Sequence, residues 1–326
     1  MDIKKPKTCL LTVTNQCVLR CKMCHLWKLD TAKDEVSIDD CKRFIDSLSQ
    51  FNVDPIEVHL IGGESLIKKG ILELISHIRG KGSRTVMTSS GYTINETMAQ
   101  GLVDSGLSML NLSLESLNPS VHDLLRGREG CFQQVVNAIE HFKRIGKKGM
   151  KLGINSIFTA LNMDDVVELA KWVQQNESLD SLYFMSIMRP FGSSFDWEWF
   201  KKDGCRELWP SDYSKTEDVL NKLIELKKSC YKIENPVGQL QSFKTYFKNP
   251  GHFIKSNRCN VSEQAINVNA IGDIYICFFM EKLGNIKTDN ITELWYSDKA
   301  KEIRKQMNGC RKNCELVVNC YYENEY

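Results

Sequence analysis

Apolar residues follow two alternating patterns along the first 188 positions. Short runs rich in Val, Ile and Leu are separated by longer stretches in which apolar residues recur every three to four positions. This alternation of strands with amphipathic helices predicts a parallel sheet covered by helices. Six strands are predicted, at 8–14, 56–61, 84–89, 109–115, 151–158 and 181–188. Helices are expected between them, at about 38–50, 67–80, 94–105, 131–146 and 163–176.

Capping residues support several of these helices. Ser37 and Thr93 stand where an N-cap is expected, and Gly106 stands where a helix would end. Because crossovers between parallel strands are right-handed, six such units curl into a partial barrel. The expected fold class is therefore α/β, with a partial (βα)6 TIM-like barrel over residues 1–188.

The periodicity is lost after the sixth strand. Residues 188–214 contain half of the chain's six tryptophans, Trp197, Trp199 and Trp209. Such aromatic residues either pack as a seam between domains or form a lid over a substrate pocket, and the sequence leaves both readings open. Two helices are expected afterwards, at about 214–231 and 238–247. We assign 189–250 to an aromatic-rich insertion with linking helices.

The remaining residues, 251–326, predict a small domain built from a β-hairpin and a helix. The run INVNAIGDIYIC is typical of a hairpin that turns at Gly272, and a helix is expected near 291–305.

Charge and composition exclude some classes of function. Lys and Arg number 43 against 41 Asp and Glu, a net charge of +2, so no electrostatic footprint for nucleic acid is present. No apolar run approaches the length of a membrane span, and MDIKKPKTC does not resemble a signal peptide. We expect a cytoplasmic protein whose 13 cysteines are mostly reduced and available for metal binding.

Three cysteines follow the first strand within eight residues. The sequence CVLRCKMC places Cys17, Cys21 and Cys24 at the spacing Cys-x3-Cys-x2-Cys. A structural zinc site requires a fourth ligand, which the motif itself does not contain. Three thiolates instead suit an iron–sulfur cluster that keeps one iron open for an exchangeable ligand.

This motif, together with Gly62-Gly63-Glu64 after the second strand, resembles the radical S-adenosylmethionine (SAM) enzymes. The resemblance implies a [4Fe–4S] cluster held by the three cysteines, with SAM chelating the open iron. Met23 stands where the family often has an aromatic residue, and Ser65 replaces a frequent proline. The resemblance also implies that reductive cleavage of SAM yields a 5′-deoxyadenosyl radical.

Alternation along the fourth strand predicts which side chains enter the barrel. Leu110, Leu112 and Leu114 would face the helices, whereas Asn111, Ser113 and Glu115 would face the lumen. Glu115 would there need a partner, which a bound ligand could supply, unless it meets water at the strand's mouth. The same parity places Asn155, and Glu57 with His59, inside the barrel. Glu57 and His59 would serve the substrate or form a structural pair.

By resemblance, the SAM-binding residues would comprise Gly62, Gly63, Glu64, Ser89, Ser90, Ser113, Glu115 and Arg126, and the inward parity of Asn155 adds it to this set. Arg126 is the candidate for the SAM carboxylate. No catalytic residue is assigned.

A second cysteine group lies near the carboxyl terminus: Cys259, Cys277, Cys310, Cys314 and Cys320. With Gly272, the first two match the Cys-x9-15-Gly-x4-Cys pattern of the SPASM and twitch extensions of radical SAM enzymes. The final Cys-x3-Cys-x5-Cys departs from the SPASM spacing. Because a cluster takes at most four thiolates, five cysteines predict one auxiliary [4Fe–4S] cluster, and which four bind stays open.

The sequence thus predicts a radical SAM enzyme that abstracts a substrate hydrogen and oxidises or rearranges a small molecule with help from an auxiliary cluster. We expect no peptide-recognition domain before Cys17, which favours a small molecule over the alternative, a peptide that is cross-linked or epimerised. A non-catalytic iron–sulfur or zinc protein is the distant alternative. The resemblance further implies a low-potential electron donor such as flavodoxin or ferredoxin.

Overall fold

The computed structural model describes residues 3–51, 55–194, 196, 198–248, 261–310 and 318–319. Six strands lie close to their predicted positions: β1 (Thr8–Thr14), β2 (Glu57–Gly62), β3 (Arg84–Ser89), β4 (Met109–Ser113), β5 (Lys151–Phe158) and β6 (Ser181–Ser186). Three more strands follow: β7 (Ala265–Val268), β8 (Asp273–Tyr275) and β9 (Gly284–Asn285). The α-helices of the described ranges are α1 (Ile38–Ser49), α2 (Ile71–Gly80), α3 (Glu96–Ser105), α4 (Pro119–Arg126), α5 (Cys131–Ile145), α6 (Val166–Gln175), α7 (Tyr213–Lys228), α8 (Val237–Lys248), α9 (Val261–Gln264), α10 (Ile291–Tyr296) and α11 (Asp298–Asn308).

These strands form one sheet in the order β6-β5-β4-β3-β2-β1-β7-β8-β9. Strands β1 to β6 are parallel to their neighbours, as expected for the partial barrel. The predicted hairpin is β7 and β8, which turn at Gly272. Because β7 pairs in parallel with β1, the carboxyl-terminal hairpin continues the barrel sheet beyond its first strand.

The register separates two faces of the sheet. Leu110 and Leu112 are fully buried, and they share a face with buried Leu152 and Ile154 of β5. The opposite face carries Ser113, whose register partner is Asn155. The predicted parity of the fourth strand therefore holds as far as the strand extends.

Several predicted helix boundaries are wrong. The stretch 67–80 becomes α-helical only at Ile71, because Gly70 enters the left-handed region at φ +86°. Asn95, rather than Thr93, caps α3 by accepting from the Met98 amide. The helix expected at 291–305 is two helices, since Ser297 is extended and caps the second.

Helix α4 was not predicted. Its start follows ordinary rules, because Asn118 caps it and Pro119 occupies the first turn. Its end is Gly127 in the left-handed conformation, at φ +67°. This short helix lies beside the cysteine loop, residues 17–24.

The tryptophan-rich insertion is a packed seam where the structure describes it. Trp209 is 7% exposed, and its ring centroid lies 5.6 Å from Trp199, 5.4 Å from Tyr246 and 5.4 Å from Phe247. Trp199 and Trp209 therefore pack towards α8, whose Phe247 lies 5.5 Å from Phe158 of β5, so the lid alternative is wrong for these two tryptophans. Trp197 lies outside the described residues.

Two asparagine side chains cover the free edge of β6. The Asn235 amide accepts from the Phe184 N–H at 2.7 Å and donates to the Phe184 carbonyl at 2.8 Å. Asn319 forms the same bridge with Ser186, at 2.7 and 3.2 Å. The carboxyl-terminal segment thus reaches the edge of the sheet opposite to the one that the hairpin extends.

Candidate active site

The cysteine loop is bound by the Gly62-Gly63-Glu64 segment. The Gly63 N–H donates to the Thr14 carbonyl at 2.8 Å, and the Glu64 N–H donates to the Gln16 carbonyl at 2.9 Å. A Cβ on Gly63 would lie 2.2 Å from the Gln16 carbonyl oxygen, and one on Gly62 would lie 2.1 Å from that of Thr14. The two glycines are therefore required by the close approach of the cysteine loop.

Glu35 stabilises the start of this loop and was missed by sequence analysis. Its carboxylate accepts from the Thr14 hydroxyl and the Asn15 N–H, both at 2.7 Å. The side chain is 2% exposed, and Lys68 lies 3.5 Å away. With these donors, the buried carboxylate fixes the backbone that leads into Cys17.

Helix α4 binds the loop from its other side. The Lys22 N–H donates to the Leu125 carbonyl at 2.9 Å. A Cβ on Gly127 would lie 2.1 Å from the Arg20 carbonyl oxygen, so only glycine permits this contact. Arg126 extends from the helix end and donates to the Cys21 sulfur at 3.7 Å.

Arg126 also pairs with Glu115. One guanidinium nitrogen lies 2.5 Å from a carboxylate oxygen of Glu115, which is fully buried. The other oxygen accepts from the Ile157 N–H at 2.6 Å. The alternative in which Glu115 meets water is thus wrong, and its partner here is Arg126 together with the β5 backbone. The Nε of Arg126 is buried without a hydrogen-bond partner among the described residues.

The pKa values of this buried group follow from desolvation and charge. Burial raises the pKa of Glu115, and the Arg126 guanidinium and the Ile157 N–H oppose that shift. Burial alone would lower the pKa of Arg126, but Glu115 and Cys21 raise it above its usual value. Burial, with the charge of Arg126, lowers the pKa of neighbouring His122 to about 3. His122 is therefore neutral at pH 7, and its Nδ1 accepts from the Glu115 N–H at 3.1 Å.

Glu64 joins the ends of β2 and β3. The residue is buried, at 1% exposure. Its carboxylate accepts from the Ser89 hydroxyl and the Ser90 N–H, both at 3.0 Å. The Ser90 hydroxyl donates to the same carboxylate at 2.5 Å. The sequence-predicted residues Glu64, Ser89 and Ser90 thus lie together, next to the cysteine loop.

Neutral polar groups line the lumen at the carboxyl ends of β3 to β5. The Asn155 amide nitrogen lies 3.5 Å from the Thr88 hydroxyl, and its Oδ1 is buried without a partner in the described ranges. Glu57 and His59 lie elsewhere, on the first half of β2, where they hydrogen-bond at 2.7 Å. The structure therefore favours the structural reading of this pair.

The three loop thiols suit an iron–sulfur cluster. Burial raises the pKa of Cys17 and raises that of Cys24 to about 11. The nearby Cys21 sulfur adds to the increase at both positions. These shifts apply to free thiols; thiolates bound to iron are deprotonated by the metal. No three His, Cys, Asp or Glu side chains of the described residues share a single metal-ion position. A cluster does not require one, since each thiolate binds its own iron. The Arg126 Nε near Cys21 and the Asn155 Oδ1 in the lumen are buried polar atoms without a partner among the described residues, as a site for a polar cofactor would provide.

Two cysteines of the second group are described. Cys277 follows β8, is 7% exposed, and its sulfur accepts from the Phe279 N–H at 3.4 Å. Cys310 follows α11 and is partly buried. Cys259, Cys314 and Cys320 lie outside the described residues. In the ranges that are described, no helix is long and apolar enough to cross a bilayer.

Comparison with known proteins agrees with this geometry. Residues 11–173 match the family model of the radical SAM superfamily, and residues 259–321 match the SPASM iron–sulfur cluster-binding domain. An AdoMet-dependent heme synthase from Methanosarcina barkeri is 22% identical, over 98% of this chain and 95% of that protein. A GTP 3′,8-cyclase from Aquifex aeolicus is 24% identical, over 94% of each chain.

Among solved structures, Streptococcus suis SuiB bound to its precursor peptide SuiA superposes with a TM-score of 0.66 at 17% identity. The match covers 97% of this chain and 71% of that one and supports the partial-barrel fold. The superfamily model spans half of the chain, including the cysteine loop, the Gly62-Gly63-Glu64 segment and the Glu115–Arg126 pair. The chain therefore belongs to the radical SAM superfamily, as an enzyme that uses a [4Fe–4S] cluster, SAM and an auxiliary iron–sulfur cluster in its SPASM domain.

Proposed function

We propose that Cys17, Cys21 and Cys24 hold the SAM-binding cluster, and that the enzyme abstracts a hydrogen atom from a small molecule, which it then oxidises or rearranges. When bound, the cluster and SAM supply a 5′-deoxyadenosyl radical. The observation that carries this proposal is that the cysteine loop is bound at once by the Gly62-Gly63-Glu64 segment and by α4. Such fixation on both sides suits a loop that must present its thiols in one geometry.

The chain's own residues divide the remaining work. Arg126 holds positive charge beside Cys21 and is itself held by Glu115, so it positions one wall of the SAM site. Glu64 fixes Ser89 and Ser90, whose segment forms the neighbouring wall. Ser113 and Asn155 offer neutral hydrogen-bonding groups towards the lumen, where they suit a ribose or an uncharged part of the substrate. The barrel and its helix layer exclude water from the radical.

Two considerations favour a small molecule. Two relatives that match over more than nine tenths of both chains are named for heme synthesis and GTP cyclisation. The lumen residues Thr88, Ser113 and Asn155 carry no charge that would select a charged peptide side chain. A peptide substrate is the second candidate, because SuiB binds the peptide SuiA. We further propose that a low-potential carrier such as flavodoxin or ferredoxin supplies the electron.

The central test is anaerobic SAM cleavage by reconstituted protein. Dithionite and SAM should yield 5′-deoxyadenosine, and replacing Cys17, Cys21 and Cys24 together by Ala should abolish the product. A matched control replaces Cys9, Cys41 and Cys131, which are buried outside the loop, by Ser one at a time. Product formation by the triple loop variant would refute the assignment.

The substrate class is tested by isotope transfer. Cells of the source organism grown in deuterated medium are fractionated by mass into metabolites and peptides, and each fraction is added to the reaction. Deuterium in 5′-deoxyadenosine from the metabolite fraction alone supports a small molecule. Deuterium from the peptide fraction alone would overturn that choice in favour of a peptide.

A further inference from the structure

Exposed cations line the cysteine loop. Arg20, Lys28 and Arg128 are all solvent-exposed. The Arg20 guanidinium donates to the carbonyls of Cys17 and Leu19, both at 2.9 Å. Arg128, just past α4, donates to the Val18 carbonyl at 3.0 Å. The two arginines therefore lie against consecutive parts of the loop that carries the cluster cysteines.

Aromatic rings hold these cations in place. The Trp27 ring stacks with Arg20 at 5.0 Å and with Lys28 at 5.1 Å, and Tyr92 stacks with Arg128 at 4.3 Å. We call these five residues the basic collar. Stacked side chains have already lost much of their rotamer freedom, so a partner that binds them has less ordering cost to offset.

The collar has a local excess of positive charge. Within the described ranges, none of Arg20, Lys28 and Arg128 forms an ion pair with a carboxylate. Nearby Lys22, in contrast, pairs with Glu207 at 2.7 Å. Since basic and acidic residues nearly balance over the whole chain, at a net charge of +2, three neighbouring cations without an ion pair among the described residues form a local excess.

The collar also contacts the cluster-binding backbone directly. Arg20 donates to the Cys17 carbonyl, and the Trp27 indole N–H donates to the Cys24 carbonyl at 2.8 Å. The lumen groups Ser113 and Asn155 belong to the barrel interior, whereas the collar is exposed. A protein bound there would lie one side-chain layer from the first and last cysteines of the motif.

We propose that the basic collar docks a small acidic one-electron carrier protein, which reduces the SAM-binding cluster from this side. The inference rests on the proposed function. In the step, the carrier loses one electron and the cluster gains it, and no bond forms or breaks. Complementary charge raises association rates between proteins by one to three orders of magnitude, and salt screens this effect.

The test compares a docking donor with a small reductant. Holoenzyme is mixed by stopped flow with reduced flavodoxin or with dithionite, and the loss of visible cluster absorbance is followed. Lys28→Glu reverses a charge that only stacks on Trp27. Arg20→Gln with Arg128→Gln removes two charges but keeps amide donors for the loop carbonyls. Lys222→Glu, an exposed lysine on α7, is the matched control.

At low salt, we expect both collar variants to be reduced by flavodoxin about tenfold more slowly than the wild type and the control. Their reduction by dithionite should stay within about twofold of the wild type, and added salt should remove the difference. Unchanged flavodoxin rates would overturn the proposal. So would variants that lose only substrate-coupled turnover under dithionite, which would make the collar a site for an acidic peptide. A wild type that fails to cleave SAM with dithionite would instead refute the proposed function.

Discussion

The two groups of cysteines are positioned by different means. Cys17, Cys21 and Cys24 lie in one short loop, and the segments that bind it come from the ends of β1, β2 and α4. Cys277 and Cys310, in contrast, stand on separate elements with β9, α10 and α11 between them. The first group therefore depends on local packing at the barrel mouth, whereas the second depends on how the carboxyl-terminal extension docks on the barrel.

Contacts with the barrel hold that extension at several places. Strand β7 pairs with β1, and the Trp295 indole donates to the Lys4 carbonyl at 2.9 Å. At the far edge of the sheet, Asn319 bridges Ser186, and the Tyr183 hydroxyl donates to the Asn319 carbonyl. Substitutions remote from any cysteine should therefore affect the auxiliary cluster more readily than they affect the SAM-binding cluster.

The largest effect is expected at the Glu115–Arg126 pair. Glu115→Ala leaves a buried guanidinium without its carboxylate, which typically costs about 3–5 kcal/mol of folding free energy. Because Arg126 contacts Cys21, iron bound by the cysteine loop should fall as well. Urea unfolding and iron analysis measure the two effects.

A double variant provides the control for this pair. Glu115→Leu with Arg126→Met removes both charges and should be clearly less destabilising than Glu115→Ala alone. Equal destabilisation would show that Glu115 acts through its packing rather than through its charge. In that event the local description of the first cysteine group would need revision.

The sequence predicted the barrel well because its strands have clear patterns. All six strands begin within one residue of their predicted starts, and the parity of β4 placed Ser113 and Asn155 on one face. Helix α4 was missed because its apolar stretch is short. The N-cap residue Asn118 and the following Pro119 are a helix-start signal that could have located this helix.

Long-range contacts could not be predicted from the pattern. The link between Glu35 and Thr14 depends on how the chain returns after the cysteine loop. Likewise, nothing in the sequence indicates that Asn319 covers the edge of β6, because side-chain bridges of this kind have no period. The positions of the second group of cysteines depend on such long-range contacts. Which of these cysteines bind the auxiliary cluster therefore stays a prediction.

An intermediate effect is expected at Asn319. Asn319→Ala leaves the buried N–H and carbonyl of Ser186 without these bonds, at a cost of about 1–3 kcal/mol for each unsatisfied group. Since Cys320 is the next residue, the auxiliary cluster should be lost preferentially. Reconstituted protein should fall from about eight irons towards about four, while SAM cleavage without substrate persists.

Asn235→Ala is the matched control for that experiment. It removes the same kind of bridge, to Phe184, from a segment that carries no cysteine of either group. Iron content near the wild-type value in this variant, together with loss in Asn319→Ala, would support the docking role. Equal losses in both variants would show that the β6 edge stabilises the whole fold without regard to the clusters.

The smallest effect is expected at Glu57, which belongs to neither cysteine group. Its hydrogen bond to His59 lowers the pKa of the carboxyl group, with partial burial opposing the shift. Because the pKa is lower in the folded state, the hydrogen bond stabilises the fold at pH values above the unfolded-state pKa of about 4.3. This contribution is lost as the pH falls through the folded-state pKa. Both side chains are about one third exposed, so the contribution is screened to about 1 kcal/mol or less.

Glu57→Gln should therefore lower the unfolding free energy slightly at pH 6 and converge with the wild type in acid, while the iron content stays unchanged. Loss of substrate-coupled turnover at unchanged stability would instead assign Glu57 and His59 to the substrate, and the barrel's chemistry would then extend beyond the carboxyl ends of its strands.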